Sequence, residues 1–194
     1  MKAFYQAISA GADTAEKATN ALTAANKLAI GGVTDTQTAI DGLTSVMNAY
    51  NGKAGSFTDI SDSMFIAMRA GKTTIAELSS SIGDLAPIAS QAGASFDGVM
   101  SATAALTKGG VSTSTAMTGL KGVLASVIKP SSEAEKMAES LGLQFDAAAL
   151  KSKGLSGFLE DLKDKTGGST EKMAMLFGGV EALTPVLALT GAAS

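Results

Sequence analysis

Apolar residues recur at steps of three and four along almost the whole chain, and this spacing is the feature that most constrains the fold. Such steps place the apolar side chains on one face of an α-helix, whereas a half-buried strand alternates with a period of two. The pattern is clearest in four segments: Asp35–Tyr50, Thr74–Ala92, Ser95–Lys108 and Ser114–Ile128. No segment of useful length alternates. The sequence therefore predicts an all-α fold, a multi-helix bundle of short amphipathic helices rich in Ala and Gly.

Helix boundaries carry their own signals. Capping boxes, in which Ser, Thr or Asp precedes Glu or Gln by three residues, predict helix starts at Asp13…Glu16, Thr34…Gln37, Thr74…Glu77 and Ser132…Glu135. Glycine suits the left-handed position after a helix and predicts helix ends at Gly31–Gly32, Gly52, Gly71, Gly93, Gly109–Gly110 and Gly142. Pro130 predicts that the preceding helix ends by Ile128. We therefore expect about nine to eleven helices of roughly 8–18 residues, joined by loops of about two to five residues.

Two stretches of the chain resemble each other once a one-residue gap is allowed. Gly31–Met47 reads GGVTDTQTAIDGLTSVM, and Gly109–Leu124 reads GGVSTSTAMTGLKGVL. Two helical hairpins built in the same way would explain this echo, and chance in a low-complexity sequence explains it nearly as well. From about residue 131 the echo disappears and charged residues become more frequent. We place a soft boundary there, between a helical core with two similar hairpins (1–130) and a more charged helical segment ending in apolar helices (131–194).

The residue inventory excludes several classes of chemistry. The 194 residues contain no Cys and no His, so a soft metal site, a thiol nucleophile and an imidazole acid–base group are all excluded. A net charge of −3, with 15 basic against 18 acidic residues, argues against nucleic-acid binding, which needs clustered Lys and Arg. Leu, Ile, Val and Phe are just frequent enough for folding, so we expect a thin core rich in small residues.

Two motifs resemble catalytic or nucleotide-binding signatures, and neither is complete. Ala70–Thr74 (AGKTT) contains half of a phosphate-binding loop, but Ile66 stands where that loop requires its first glycine. Ser-x-x-Lys pairs occur at Ser126…Lys129 and Ser169…Lys172, and Lys165-Thr166-Gly167 follows the first, as in penicillin-binding serine enzymes. The required Asn between these elements is missing. The ends and starts of helices explain both motifs better than phosphate binding or serine catalysis does.

Paired carboxylates and methionines are the remaining candidates for a site. Asp59 and Asp62 lie one turn apart at a helix start, where acids suit the positive end of the dipole. Glu133, Glu135 and Glu139 share an exposed helix with Lys136, and capping and solvation explain both acidic sets better than cleavage of a glycoside. Met64, Met68, Met100, Met117, Met173 and Met175 fall on apolar faces, where filling the core is a more common role than a binding groove. We therefore predict no catalytic, cofactor-binding or metal-binding residue, and no enzyme.

One stretch approaches the length of a membrane span. Met175–Ala193 is mainly apolar but carries Glu181 and Pro185 near its middle, and an acid at the bilayer centre is unfavourable. We interpret this stretch as a pair of buried helical turns.

At the level of whole segments the chain resembles a known family. The runs AISAGADTAEKATNALTAANKLAIGGVTDTQTAIDGLTSVMNAY, TTIAELSSSIGDLAPIASQAGASFDGVMSATAALTKGGVSTSTAMTGLKGVLASVIKPS and LFGGVEALTPVLALTG are similar to the core region of tail tape measure proteins of long-tailed phages and prophages. The resemblance covers about Phe4 to Gly191. Its most specific parts are Leu85–Gly93 and the Gly-Gly-Val switch between helices. It carries no functional residues over to this chain.

This resemblance implies a structural role. Tape measure proteins are much longer than this chain, so we expect a fragment of a longer protein. The family implies that the protein sets tail length, is wrapped by tail assembly chaperones, templates polymerisation of the tail tube protein and leaves the tube ahead of the DNA. It implies that the protein lies in the tail tube lumen of the virion and in the host cytoplasm during assembly. It also implies a possible homo-oligomer. The alternative is a membrane-active helical module that contacts the host envelope after ejection.

Overall fold

The predicted all-α fold is confirmed. A computed structural model describes residue 5, residue 8 and residues 14–191, and within these the chain forms helices and turns without a strand. The ten helices of the described range are, in order, α1 (Ala15–Gly31), α2 (Thr36–Ala49), α3 (Phe57–Ala70), α4 (Ile75–Ala92), α5 (Phe96–Lys108), α6 (Thr113–Ile128), α7 (Ser132–Leu141), α8 (Ala147–Thr166), α9 (Thr170–Phe177) and α10 (Val180–Leu189).

Helix α4 lies at the centre of the bundle. It packs most extensively against α2 on one side and α6 on the other, while α1 packs on α2 and α3, and α3 packs on α5. Helix α10 packs on α6, and the short helices α7 and α9 pack against each other. The contact between α10 and α6 joins elements on either side of the boundary predicted near residue 131. That boundary stays a prediction.

Alanine dominates the interior of the bundle. In the described part of the chain 50 hydrophobic residues are buried, of which 18 are alanines, and they form one cluster with the buried Leu, Ile, Val, Phe and Met side chains. Each buried alanine removes little apolar surface from water, and burial stabilises by only about 25 cal/mol per Å². The expected thin core is therefore present, and small side chains allow the helices to approach closely.

Glycines mark the closest helix contacts. A Cβ atom added to Gly42 of α2 would lie 2.5 Å from Ser79 Oγ and 3.0 Å from Ser79 Cα on α4. A Cβ atom on Gly119 of α6 would lie 2.7 Å from Pro185 Cγ and 3.0 Å from the Glu181 carbonyl oxygen on α10. All four distances are shorter than van der Waals contact, so any side chain at these positions would push the helices apart.

Several predicted helix boundaries need correction by one residue. Helix α1 is capped by Thr14, which accepts from the Lys17 N–H, while Asp13 lies outside the described residues. The starts predicted at Thr34 and Ser132 are wrong, because Asp35 caps α2 and Ser131 caps α7. In each case neighbouring residues both carry a capping oxygen, and the local pattern does not distinguish them.

Other boundary predictions are confirmed or modified. The capping box Thr74…Glu77 is present, and α6 ends at Ile128 before Pro130. Gly93 and Gly142 adopt the left-handed conformation, whereas Gly71 is extended with φ of −105°. Gly71 is required for a different reason, since its Cβ would lie 3.0 Å from Ala104 Cα. The seven-residue loop over 50–56 and the 20-residue α8, broken at Gly154, exceed the predicted lengths.

The two Gly-Gly-Val turns share one hydrogen-bonding pattern with a shift of one residue. After α1 the N–H of Thr34 bonds to the Ala29 carbonyl, and after α5 the N–H of Val111 bonds to the Leu106 carbonyl. The left-handed residue of this Schellman arrangement is Gly110 in the second turn, with φ of 96°, but Val33 in the first, with φ of 52°. A β-branched residue is strained in that conformation.

Candidate functional surfaces

The AGKTT segment is occupied by structural hydrogen bonds. The N–H of Gly71 donates to the Ala67 carbonyl, that of Lys72 donates to Thr107 Oγ1 at 3.2 Å, and that of Thr74 donates to Glu77 Oε2 at 2.9 Å. A phosphate-binding loop needs such N–H groups directed at the ligand. The segment is therefore a helix stop followed by a helix start, as we interpreted it.

Both Ser-x-x-Lys pairs lie at helix ends and serve structure. Ser126 Oγ donates to the Gly122 carbonyl at 3.0 Å, and Lys129 is the residue that ends α6. Ser169 caps α9 by accepting from the Lys172 N–H. Residues 165–167 form the end of α8, not a strand. A serine nucleophile needs a base within hydrogen-bonding reach, and neither serine is placed against one by these contacts.

The acidic candidates either cap a helix or lie exposed to solvent on its surface. Asp59 Oδ2 accepts from the Ser56 N–H at 2.7 Å and from Ser56 Oγ at 2.8 Å, which completes a capping box at the start of α3. The hydrogen bond with the Ser56 side chain, followed by that with its backbone, lowers the pKa of Asp59. Glu133, Glu135 and Glu139 are exposed on α7. In the described part of the chain, His, Cys, Asp and Glu form no group able to hold a metal ion.

The methionines lie mainly in the core. Met64, Met100, Met117 and Met173 are at most 3% exposed, and Met68 and Met175 are half-buried. The interpretation of these side chains as core residues is thus supported for the four buried ones.

Tyr50 is the last apolar position of the pattern predicted over Asp35–Tyr50, and its side chain is buried together with its hydroxyl. Its side chain packs edge-on against Phe96, with ring centroids 6.1 Å apart, and its hydroxyl has no hydrogen-bond partner among the residues that the structure describes. Burial raises the pKa of the Tyr50 phenol, and the nearby negative charge of Asp97 raises it further. A phenol held in its neutral form without a partner is poorly suited to proton transfer near neutral pH.

Two shallow grooves lie on either side of α5. The first, between α3 and α5, has a volume of about 370 Å³. The second lies between α5, α8 and the end of α10, and its volume is about 510 Å³. Ser101 and Ala105 line both grooves, and Ile66, which is 64% exposed, lines the first. At one end of the first groove Ser63 hydrogen-bonds to Asp97. Ligand sites combine apolar walls with converging polar groups, and these grooves are walled mainly by small and apolar residues.

The sequence could not identify these grooves, because each is formed by helices far apart in the chain. Among the lining residues, only Ile66 could have indicated a groove from the sequence, because it is an apolar residue outside the main apolar stripe of α3.

The stretch Met175–Ala193 does not form one helix. Within its described part, α9 ends at Phe177, Gly178 and Gly179 interrupt the chain, and α10 begins at Val180. Among the residues that the structure describes, no helix is long and apolar enough to cross a membrane. The interpretation as buried helical turns is supported, since Ala182 and Val186 are at most 4% exposed.

The fold and the candidate motifs together define the class of protein to which this chain belongs. The described residues form an Ala-rich helical bundle in which the candidate motifs are engaged in capping and packing. Residues 1–178 match the family of phage-related minor tail proteins, and the chain belongs to that family. A search among curated proteins and a search among solved structures found no match. Membership makes this chain a structural component of a phage tail and associates it with other tail components.

Proposed function

We propose that this chain is a structural segment of a tail tape measure protein, without enzymatic activity. In this role it helps to determine tail length and assemble the tail tube, and it leaves the tail during DNA ejection. The family match over residues 1–178 is the observation that carries the proposal. The resemblance of the segments between Phe4 and Gly191 to the core region of tape measure proteins supports it.

The composition of the core also supports this role. A protein that is packed into a tube and later expelled must change shape at low energetic cost. Because 18 of the 50 buried hydrophobic residues in the described range are alanines, the bundle buries little apolar area per residue, and its free energy of unfolding is correspondingly small. The mixed charge, 15 basic against 18 acidic residues, suits a protein that precedes the DNA without binding it.

The proposed partners follow from the same role. They are the tail tube protein, the tail assembly chaperones and other copies of this chain. The proposed location is the lumen of the tail tube in the virion, with a stage in the host cytoplasm during assembly.

Deletion of the segment in frame from its parent phage tests the proposal. A helix rises about 1.5 Å per residue, so loss of an extended segment of this length shortens the tail by roughly 290 Å in electron micrographs. Tails of unchanged length would refute the tape measure role. Absence of tails would mean that the segment is a folded module needed to start assembly, with the ruler elsewhere in the parent protein.

The membrane-active alternative stays a prediction that no observation of the structure favours. Its test is co-sedimentation of the purified chain with liposomes, with and without residues 175–193. Binding that depends on this stretch would support it, and equal recovery in the supernatant would refute it.

A further inference from the structure

The turn after α2 places an asparagine and a glycine in succession in the left-handed conformation. Asn51 has a φ of 49° and Gly52 has a φ of 75°. Glycine adopts this conformation without strain, and asparagine tolerates it better than most other residues do. The turn therefore explains why the pair Asn-Gly stands here, and Asn51 is the one asparagine of the chain that precedes a glycine.

An Asn-Gly pair is also chemically reactive. When the backbone nitrogen of the glycine loses its proton to a base, it can attack Cγ of the asparagine side chain. A bond forms between that nitrogen and Cγ, and the bond from Cγ to Nδ2 breaks, so that Nδ2 leaves as ammonia and a five-membered succinimide ring remains. Water then opens the ring on one side or the other and leaves aspartate or isoaspartate. Glycine favours the attack because it has no Cβ to crowd the nitrogen and leaves the backbone free to reach the required geometry.

Solvent reaches this pair in the folded bundle. Asn51 and Gly52 are both exposed, as is Lys53 after them. A Cβ atom added to Gly52 would meet no atom of the described residues within 4 Å, so the space around the glycine is open. Burial therefore does not protect Asn51, and the reaction depends on whether the Gly52 nitrogen is free to attack.

The hydrogen bonds of the turn hold the Gly52 nitrogen back from this reaction. The Gly52 N–H donates to the Met47 carbonyl at 3.1 Å, so its proton is directed at an acceptor in the last turn of α2. The N–H groups of Asn51 and Lys53 also donate to backbone carbonyls, at 3.2 and 3.0 Å. These bonds fix the backbone on both sides of the reacting atoms, as at other helix ends closed by a left-handed residue. The attack therefore requires the turn to open.

We propose that Asn51 is a deamidation site which the folded bundle protects and which reacts when the turn after α2 opens. The hydrogen bond between Gly52 and Met47 slows the reaction, and local or global opening releases the nitrogen. The rate in the folded protein is then set by the small fraction of molecules in which the turn is open. This inference concerns the bundle alone and does not depend on the proposed role in the phage tail.

Deamidation would leave a modification that favours the open turn. The new carboxylate adds a negative charge directly after α2, at the end of the helix dipole that is itself negative. An isoaspartate also carries the main chain through its Cβ, which inserts an atom before Gly52 and displaces its N–H from the Met47 carbonyl. The lost ammonia does not return in dilute solution. A molecule that has opened long enough to react therefore keeps a permanent record of the opening.

Incubation of the purified chain in mildly alkaline buffer, with and without urea above the unfolding transition, tests the proposal. Peptide mass spectrometry detects the change of amide to acid at each asparagine. We expect Asn51 to deamidate at least about tenfold faster in urea than in buffer, because the protecting bond is lost on unfolding. Asn48 is the internal control, since it precedes Ala49, whose Cβ crowds the attacking nitrogen, and it should stay unmodified in both solutions. Asn51→Gln is the control variant and should remove the fast reaction, because a six-membered ring closes more slowly.

Hydrogen exchange at the Gly52 N–H distinguishes opening of this turn from other effects of urea. Exchange requires the same bond to the Met47 carbonyl to break, so below the unfolding transition the rates of exchange and of deamidation should rise together as urea is added. Equal deamidation of Asn51 in buffer and in urea would overturn the proposal, and so would an unmodified Asn51 in urea. Deamidation in buffer at the unfolded rate, while the Gly52 N–H stays protected from exchange, would also overturn it.

Discussion

The contact between α2 and α4 provides the sharpest test of the packing, through the substitution Gly42→Ala. The added Cβ would lie 2.5 Å from Ser79 Oγ, 2.8 Å from Ser79 Cβ and 3.0 Å from Ser79 Cα. Because the last of these atoms belongs to the backbone, a rotamer change of Ser79 does not remove the clash. Overpacking of this kind costs about 1–3 kcal/mol, and the higher helix propensity of alanine offsets up to ~1 kcal/mol.

We therefore expect Gly42→Ala to destabilise the bundle by about 1–2 kcal/mol. For a chain of this size such a change lowers Tm by roughly 2–8 °C, which thermal unfolding followed by circular dichroism measures. Urea unfolding at constant m-value would show the same loss of free energy.

Gly83→Ala is the matched control, since Gly83 also lies within a helix but a Cβ there meets no atom of the described residues within 4 Å. It gains the propensity without the clash, so Tm should rise by about 2–4 °C. A Ser79→Gly background removes two of the three close contacts and should reduce the effect of Gly42→Ala. If Gly42→Ala stabilised the protein as much as Gly83→Ala, the close approach of α2 and α4 would be refuted.

Four further substitutions test other features of the fold. Val33→Gly relieves the left-handed strain and should stabilise the bundle by about 1 kcal/mol, whereas Gly110→Ala should destabilise it by a similar amount in urea titrations. Tyr50→Phe removes a buried hydroxyl that has no partner in the described range and should be neutral or stabilising by up to ~1 kcal/mol. The raised pKa keeps the Tyr50 phenol neutral in the folded protein, whereas the phenol ionises in the unfolded chain. The free energy of unfolding should therefore fall by up to about 1.4 kcal/mol per pH unit above pH 10. Tyr50→Phe should reduce this pH dependence. Thr74→Ala removes a cap of α4 and should cost about 1 kcal/mol in the same unfolding assay; no loss would contradict the assigned capping box.

Local signals in the sequence predicted the helices well, because each depends on a few neighbouring residues. The box Thr74…Glu77 and the stop before Pro130 were both found where predicted. Errors of one residue arose where two adjacent side chains compete for the same cap, as at Thr34 and Asp35. The box Ser56…Asp59 was missed because the pattern sought Glu or Gln at its third position.

Long-range contacts could not be read from the sequence. The need for glycine at Gly42 and Gly119 depends on which helices meet, and nothing local specifies that α2 packs on α4 or that α6 packs on α10. Gly71 was expected to adopt a left-handed conformation, but close approach of α5 explains it instead. The candidate motifs failed for a related reason, since their donors and acceptors are engaged by capping partners that spacing alone does not reveal.

Tail length in a phage that carries this segment twice in frame tests the central claim most directly. Unlike deletion, duplication leaves one intact copy for any step that needs the folded module. If the segment is an extended part of the ruler, electron microscopy should show tails longer by roughly 290 Å, at about 1.5 Å per added residue. Normal tails of unchanged length, with the duplicated protein present in them, would contradict the account.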